Sequence, residues 1–292
     1  MIFSSPVYPI PPSYKDGELE LGTTDKYIKY LSNKGVKNIM STAGTSQFNL
    51  LDKNEVRLFN ETLLDSFDGN VILGIPQLSL KHTLEEINKF NSRDLKNVYF
   101  LILFPERYYN DDQIVDFFEE VCSGSEYPIL AHGNSIKKGN GGVYEYDYQL
   151  LSRLSKIDGF IGIKEESSTL DYSLKNINGL DMEIIVAGGS MRRFWSLQPF
   201  GATTYLAGVG SFNPEIEERF YESYMEDDLI SAKKIIREIE TPLFKEFMSI
   251  GWHASMRESL KMMGYILENR DPFIKLDKNK KDIIKKALNR II

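Results

Sequence analysis

Short apolar runs and longer amphipathic stretches alternate along most of this chain. Runs at residues 1–9, 36–40, 71–75, 98–104, 128–132, 160–164, 184–187 and 203–207 read as strands. Between them, apolar positions recur every three or four residues and predict helices at 24–34, 52–67, 80–90 and 111–121, with others starting near Tyr146, Ser168 and Ser190. Thr23 or Thr24 is the expected cap of the first helix, and Gly35 its stop. The proline-rich stretch that ends in Lys15-Asp16-Gly17 reads as a loop, and a glycine-rich loop follows the fifth strand. Eight strands alternating with helices predict a (β/α)8 TIM barrel in preference to an open doubly wound sheet. After Pro214 the pattern turns to helices through Ile292. The expected division is a barrel over residues 1–225 and a small C-terminal helical region over 226–292.

The sixth run is the one with chemistry in it. Asp158-Gly159-Phe160-Ile161-Gly162-Ile163-Lys164-Glu165-Glu166-Ser167 stays apolar, ends on a lysine and then turns polar. Alternation along a strand puts Phe160, Gly162 and Lys164 on one face, expected to be the inward one, and Ile161 and Ile163 on the other. Gly162 is expected to leave room beside the lysine stem. An amine at the rim of an apolar interior loses hydration, which favours its neutral form and makes it a nucleophile for a ketone. The alternative is a lysine that snorkels from the strand end into solvent. Barrels of this kind carry their sites at the C-terminal ends of the strands. Here those ends hold Thr42, Tyr108 and Tyr109, His132, Lys164 and Gly188-Gly189.

Composition narrows the classes. With 42% hydrophobic and 26% charged residues, the 292-residue chain can bury a sizeable core. A net charge of -7 leaves no basic surplus to neutralise phosphates, so a nucleic-acid partner is not expected. The basic stretch from Lys275 to Arg290 is interleaved with Ile and Leu at helical spacing and reads as the solvated side of a last helix. One cysteine, Cys122, excludes an intramolecular disulfide framework and fits a reducing cytoplasm. Three histidines without metal-ligand spacing predict no metal site. No strand is followed by a phosphate-binding glycine loop. The first residues lack a basic flank and meet Pro6, Pro9, Pro11 and Pro12 at once, so neither a signal peptide nor a membrane span is expected.

Four stretches carry a family resemblance: Ser41-Thr42-Ala43-Gly44-Thr45-Ser46, similar to a Gly-Thr-Thr-Gly-Glu loop; Tyr108-Tyr109-Asn110; Gly162-Ile163-Lys164-Glu165; and Gly201 to Asn213. On these, the chain resembles the dihydrodipicolinate synthase and N-acetylneuraminate lyase family of Schiff-base aldolases and lyases, from the strand at 36–41 to Pro272. The resemblance implies that Lys164 forms an imine with pyruvate or a related 2-oxo acid. It implies that Thr42 and Tyr109 belong to a proton relay, and that backbone N–H groups at Thr42 and Ala43 hold the substrate carboxylate. Leu206 and Lys137 are taken with the substrate-binding positions, and a dimer or a tetramer of dimers is implied. Read from the residues alone, Thr42 can equally be a loop cap and Tyr109 a half-buried packing residue.

The chain departs from that family at four positions. His132 stands where the family usually has a tyrosine acting as acid and base at the end of the fifth strand. An imidazole can move protons near neutral pH, or it can simply be satisfied by loop carbonyls. Lys137 falls near the family arginine and offers one point charge, or is a solvated loop lysine. Ala43 replaces a threonine, and Thr45 an acidic residue. His253 in Gly251-Trp252-His253 could reach toward the site, although packing against the barrel is the preferred reading. The expected function is a lyase or aldolase acting on a 2-oxo acid through a Lys164 Schiff base, with no metal or organic cofactor. A hydro-lyase acting on a deoxy keto sugar acid by the same imine is the second reading. A catalytically silent relative that binds a small carboxylate is the third, favoured by Ala43 and His132 and opposed by the lysine.

Overall fold

In a computed structural model that describes residues 1–105, 107–138, 142–270 and 274–292, the chain adopts the (β/α)8 barrel fold, with an eight-stranded sheet and intervening helices. It divides into two compact units, Met1–Val7 with Asn70–Leu206, and Tyr8–Gly69 with Ala207–Ile292. These boundaries differ from a division at 225/226. Part of the glycine-rich loop after the fifth strand, residues 139–141, lies outside the described residues. Among the described residues no helix is long and apolar enough to cross a membrane.

The first unit contains six of the strands, Asn70–Ile75, Val98–Ile102, Ile129–His132, Phe160–Glu165, Glu183–Val186 and Thr204–Tyr205, each parallel to the next. Val7 then bridges Leu206 in parallel. Most of these strand residues are buried, which is why they read as unbroken apolar runs. The helices between strands start on side-chain caps: Asn110 accepts from the Gln113 N–H, Asp147 from that of Leu150, and Thr169 from that of Tyr172. Two starts therefore fall two residues later than the apolar spacing suggests, at Tyr148 and Leu170.

The strand that carries Lys164 corrects one expectation. Its register against the fifth strand pairs Phe160 with Ile129 but Gly162 with Leu130, so one extra residue is accommodated between them. Such a bulge breaks the period-two alternation. Phe160 accordingly packs edge-on against Phe118 of the helix Asp111–Ser123, with ring centroids 5.4 Å apart, and does not share a common inward face with the lysine. Nor does Gly162 serve to leave room for the lysine stem. A Cβ there would lie 2.0 Å from the Glu183 carbonyl oxygen, so glycine is what lets the seventh strand approach.

The second unit holds the strand residues Asn38–Met40, the helices Leu21–Asn33 and Lys53–Ser66, and the helices from Pro214 onward. Asp52 and Glu55 form a capping box at Lys53–Ser66. The first helix starts earlier than expected, because the Glu20 carboxylate and not a threonine accepts its Thr23 N–H. Residues 13–20, read as loop, form a hairpin of Ser13–Lys15 with Glu18–Glu20. Asp16 and Gly17 both have positive φ (52° and 82°), as a two-residue primed turn requires. Arg257 is fully buried and donates to the Pro12 carbonyl at 2.9 Å and the Glu268 carbonyl at 3.2 Å. Trp252 stacks on Phe244 with centroids 4.8 Å apart, so the 251–257 segment serves packing within this unit.

One carboxyl in this unit generates a stability prediction. Glu218 accepts from the Tyr8 hydroxyl at 3.0 Å, and burial pushes its carboxyl up to about 7. A raised carboxyl is stabilising while protonated, so its contribution is present below the ordinary carboxylate range and is lost as pH rises through about 7. Glu218→Gln keeps the acceptor and removes the charge. It should raise the melting temperature at about pH 8 and leave it nearly unchanged at about pH 4. Thermal melts at the two pH values check this.

Candidate active site

The sixth strand places three successive polar side chains in alternating directions. Lys164 is 2% exposed. Its Nζ donates to Glu166 Oε2 and lies 3.3 Å from His132 Nε2. His132 Nδ1 in turn lies 3.8 Å from the same Glu166 oxygen. Glu165, between the two, points the other way. Its carboxylate accepts from the Ser167 N–H and the Ser173 hydroxyl, both at 2.8 Å, and from Arg193 Nη2 at 3.1 Å.

The backbone sets the histidine beside the lysine. Lys164 and His132 are register partners on neighbouring strands. The next residue, Gly133, donates its N–H to the Lys164 carbonyl at 2.8 Å, where a Cβ would come within 2.6 Å of that oxygen. Only glycine allows so close a crossing without displacing the strand.

Burial pushes the Lys164 amine below the ordinary lysine range, while the Glu166 carboxylate opposes the shift. Burial, and then the charge of Lys164, hold His132 well below its ordinary range. Burial therefore favours the neutral imidazole, which counts against the alternative in which it exchanges protons near neutral pH. An ammonium group has only donors, so beside a charged Lys164 the acceptor role is assigned to His132 Nε2 and the ring proton to Nδ1, 3.8 Å from Glu166.

A cavity of about 160 Å³ adjoins this cluster, lined by His132, Gln77, Leu103, Phe104, Asn134 and Tyr146, with Lys137 also on its wall. Gln77 is held by its amide, which donates to the Phe104 carbonyl at 3.0 Å. Tyr146 is 3% exposed, and its hydroxyl has no hydrogen-bond partner among the described residues. Burial raises the pKa of that phenol, so it stays a neutral donor.

The other expected site residues, apart from Lys137 on the cavity wall, are placed differently. Tyr109 is 67% exposed and lines neither the lysine cluster nor the cavity. Its neighbour Tyr108 stacks on Tyr144 at 4.1 Å, and both hydroxyls donate to Asp111. Lys137 is exposed on the short strand Ile136–Lys138, which pairs with Arg107–Tyr108 and Val143–Tyr144. Leu206 is half-buried after the eighth strand, with its N–H on the Val186 carbonyl at 2.8 Å. Thr42 and Ala43 belong to the second unit, in a turn where the Ser46 hydroxyl accepts the Thr42 N–H at 3.0 Å and donates to the Ile10 carbonyl. The N–H assigned to a substrate carboxylate thus already has an acceptor. His253 lies against Gly44 in the same unit. Cys122 is buried and its thiol is pushed up to about 12, which makes it unreactive packing.

Glu166 and the cavity residues Gln77, Asn134 and Tyr146 were not singled out from the sequence. Glu166 had a signal, since it stands two positions after Lys164 and so on the same strand face. Tyr146 had none, because nothing local shows that the residue before a helix cap lines a cavity.

The model of the Dihydrodipicolinate synthetase family matches residues 4–291. The chain is 21% identical over 289 residues to the 4-hydroxy-tetrahydrodipicolinate synthase 2 of Clostridium acetobutylicum, covering 96% of this chain and 97% of that one. It is 19% identical over 248 residues to the "Probable 5-dehydro-4-deoxyglucarate dehydratase" of Acinetobacter baumannii, covering 82% and 78%. Among solved structures, dihydrodipicolinate synthase from Thermotoga maritima superposes with a TM-score of 0.84 at 18% identity, over 99% of each chain. N-acetylneuraminate lyase from Fusobacterium nucleatum gives 0.84 at 14% identity over 100% of each.

The outward carboxylate provides a test of what holds the lysine strand. Glu165→Ala leaves the partly buried Arg193 without its counter-charge and should cost about 3–5 kcal/mol. Denaturant unfolding followed by circular dichroism measures the loss.

Proposed function

From the premise that this chain belongs to the dihydrodipicolinate synthetase family, we propose that it is a lyase or aldolase that acts on 2-oxo acids through a Schiff base on Lys164. The observation that carries this reading is the buried lysine amine, held between His132 and Glu166 at the end of a barrel strand. Burial lowers the cost of its neutral form, and the neutral amine attacks the 2-oxo carbon. A carbon–nitrogen bond forms, the carbonyl oxygen leaves as water, and the resulting iminium withdraws electrons from the adjacent bond. Carbon–carbon cleavage, its reverse, and loss of water from the neighbouring carbons are all open to that intermediate.

The cavity beside His132 favours dehydration of a deoxy keto sugar acid as a second reading. Gln77, Asn134, Lys137 and Tyr146 give it polar groups that pyruvate alone does not need. The Acinetobacter relative named as a dehydratase supports the same direction.

Borohydride reduction in the presence of a 2-oxo acid tests the first reading. Mass measurement should show one reduced adduct on the wild-type chain and none on Lys164→Arg. An unmodified wild-type chain across a panel of 2-oxo acids, pyruvate and deoxy keto sugar acids included, would overturn it.

The second reading has its own test. Tyr146→Phe removes one buried hydroxyl and should raise KM for a polyhydroxylated 2-oxo acid by roughly five- to tenfold, the worth of about one hydrogen bond. Steady-state kinetics that show an unchanged KM for that substrate would remove Tyr146 from the binding cavity.

A further inference from the structure

Two groups touch the Lys164 amine, and they differ in what they can do with a proton. His132 is enclosed, 2% exposed, and already uses Nε2 to accept from the amine. The Glu166 side chain is 38% exposed, so one end of it meets the amine and the other meets solvent. It lies on the same strand face as Lys164 because Glu165, between them, is drawn outward by Arg193, Ser173 and the Ser167 N–H. His132 Nδ1 lies 3.8 Å from Glu166 Oε2, so the ring also neighbours that carboxylate.

This arrangement creates a requirement. A lysine paired with a carboxylate is an ammonium, and an ammonium has no lone pair with which to attack a carbonyl. Its proton must leave before the carbon–nitrogen bond forms, and a proton must later reach the departing oxygen. Enclosed beside a cation, His132 is disfavoured as an imidazolium and is therefore a weak base for the first transfer.

We infer that Glu166 is the proton carrier of imine formation on Lys164, a role that rests on the Schiff-base reading above. Glu166 takes a proton from the ammonium and leaves a neutral amine. The amine attacks the 2-oxo carbon, and the carbonyl π pair moves to oxygen, which takes the proton held by Glu166. Glu166 then removes a proton from the nitrogen to give the neutral carbinolamine. It returns that proton to the hydroxyl, which leaves as water while the nitrogen lone pair forms the iminium. The carboxylate ends as it began, and the net change is one ammonium and one ketone converted to one iminium and one water. No oxidant, metal or second acid enters the balance. His132 is a positioning residue in this scheme, since it holds the lysine and the carboxylate at one edge of its ring.

Single-turnover borohydride trapping of the full chain with pyruvate, or with whichever 2-oxo acid gives the adduct, tests this across pH. In the wild type the trapping rate should fall as pH rises far enough to remove the one proton that Lys164 and Glu166 share, because the carrier then has none to deliver. Glu166→Gln has no carrier, so its highest rate across the pH range should lie about 10²-fold below that of the wild type. Glu166→Ala should fall likewise and recover in added acetate, a diffusible carboxylate, whereas added chloride at the same ionic strength should not restore it. A highest rate for Glu166→Gln equal to or above that of the wild type would overturn the inference and leave Glu166 as a charge clamp on the lysine. So would a loss in Glu166→Ala that acetate does not repair, with melting temperatures showing both variants folded. Absence of any adduct in the wild type would instead overturn the Schiff-base reading, and the carrier role with it.

Discussion

Two close backbone approaches grip the sixth strand from either side, and the arrangement around Lys164 depends on both. On one side Gly162 faces the Glu183 carbonyl, where a Cβ would lie 2.0 Å away. On the other, Gly133 donates to the Lys164 carbonyl and would bring a Cβ within 2.6 Å of it. Neither glycine is a turn residue with positive φ; each is required because strand backbones pass where a side chain would stand. With the strand fixed at those two points, the side chains of residues 164, 165 and 166 have little choice of direction. The lysine amine becomes a buried group with two defined neighbours.

That fixed alternation separates two electrostatic tasks. Glu165 faces the helix layer and meets Arg193, whose guanidinium is paired by the carboxylate and by the Ser167 carbonyl at 2.8 Å. Glu166 faces the amine. Adjacent residues of the same type thus have opposite roles. The outward one neutralises a partly buried cation and ties the sixth strand to the helices beside it, while the inward one pairs with the lysine amine and opposes the effect of burial on it. A chain with both carboxylates on one face would leave Arg193 unpaired and crowd two anions on the lysine.

The relatives are 14–21% identical over most of the chain, yet the solved ones superpose with TM-scores of 0.84. So low an identity preserves the burial pattern and strand spacing that define the barrel while leaving rim residues free to change. At the end of the fifth strand this chain has His132. A phenol at the end of the fifth strand would offer a proton of its own. The imidazole here is neutral and enclosed, and it accepts from the amine beside it. The nearby cavity brings in Tyr146 from the chain segment before the next helix, so a phenol does reach this region by another route.

By itself the sequence determined the alternation of strands and helices, the barrel class, the lysine at the end of the sixth strand and the histidine at the end of the fifth. These follow from local periodicity and from where apolar runs stop, and both signals are present in the order of residues. Local chemistry also held two things that periodicity alone passed over, the hairpin at Asp16-Gly17 and the shared face of Lys164 and Glu166. The tertiary structure decided the rest. A one-residue bulge turned Phe160 away from the lysine, because register is a relation between two strands and no single strand records it. Gly162 was needed for the approach of Glu183, a contact between residues 21 positions apart. Tyr109 came to lie in solvent and Tyr146 in the cavity, since exposure depends on what packs above a loop. The charge state of His132 was decided by burial beside a cation, which only the folded chain supplies.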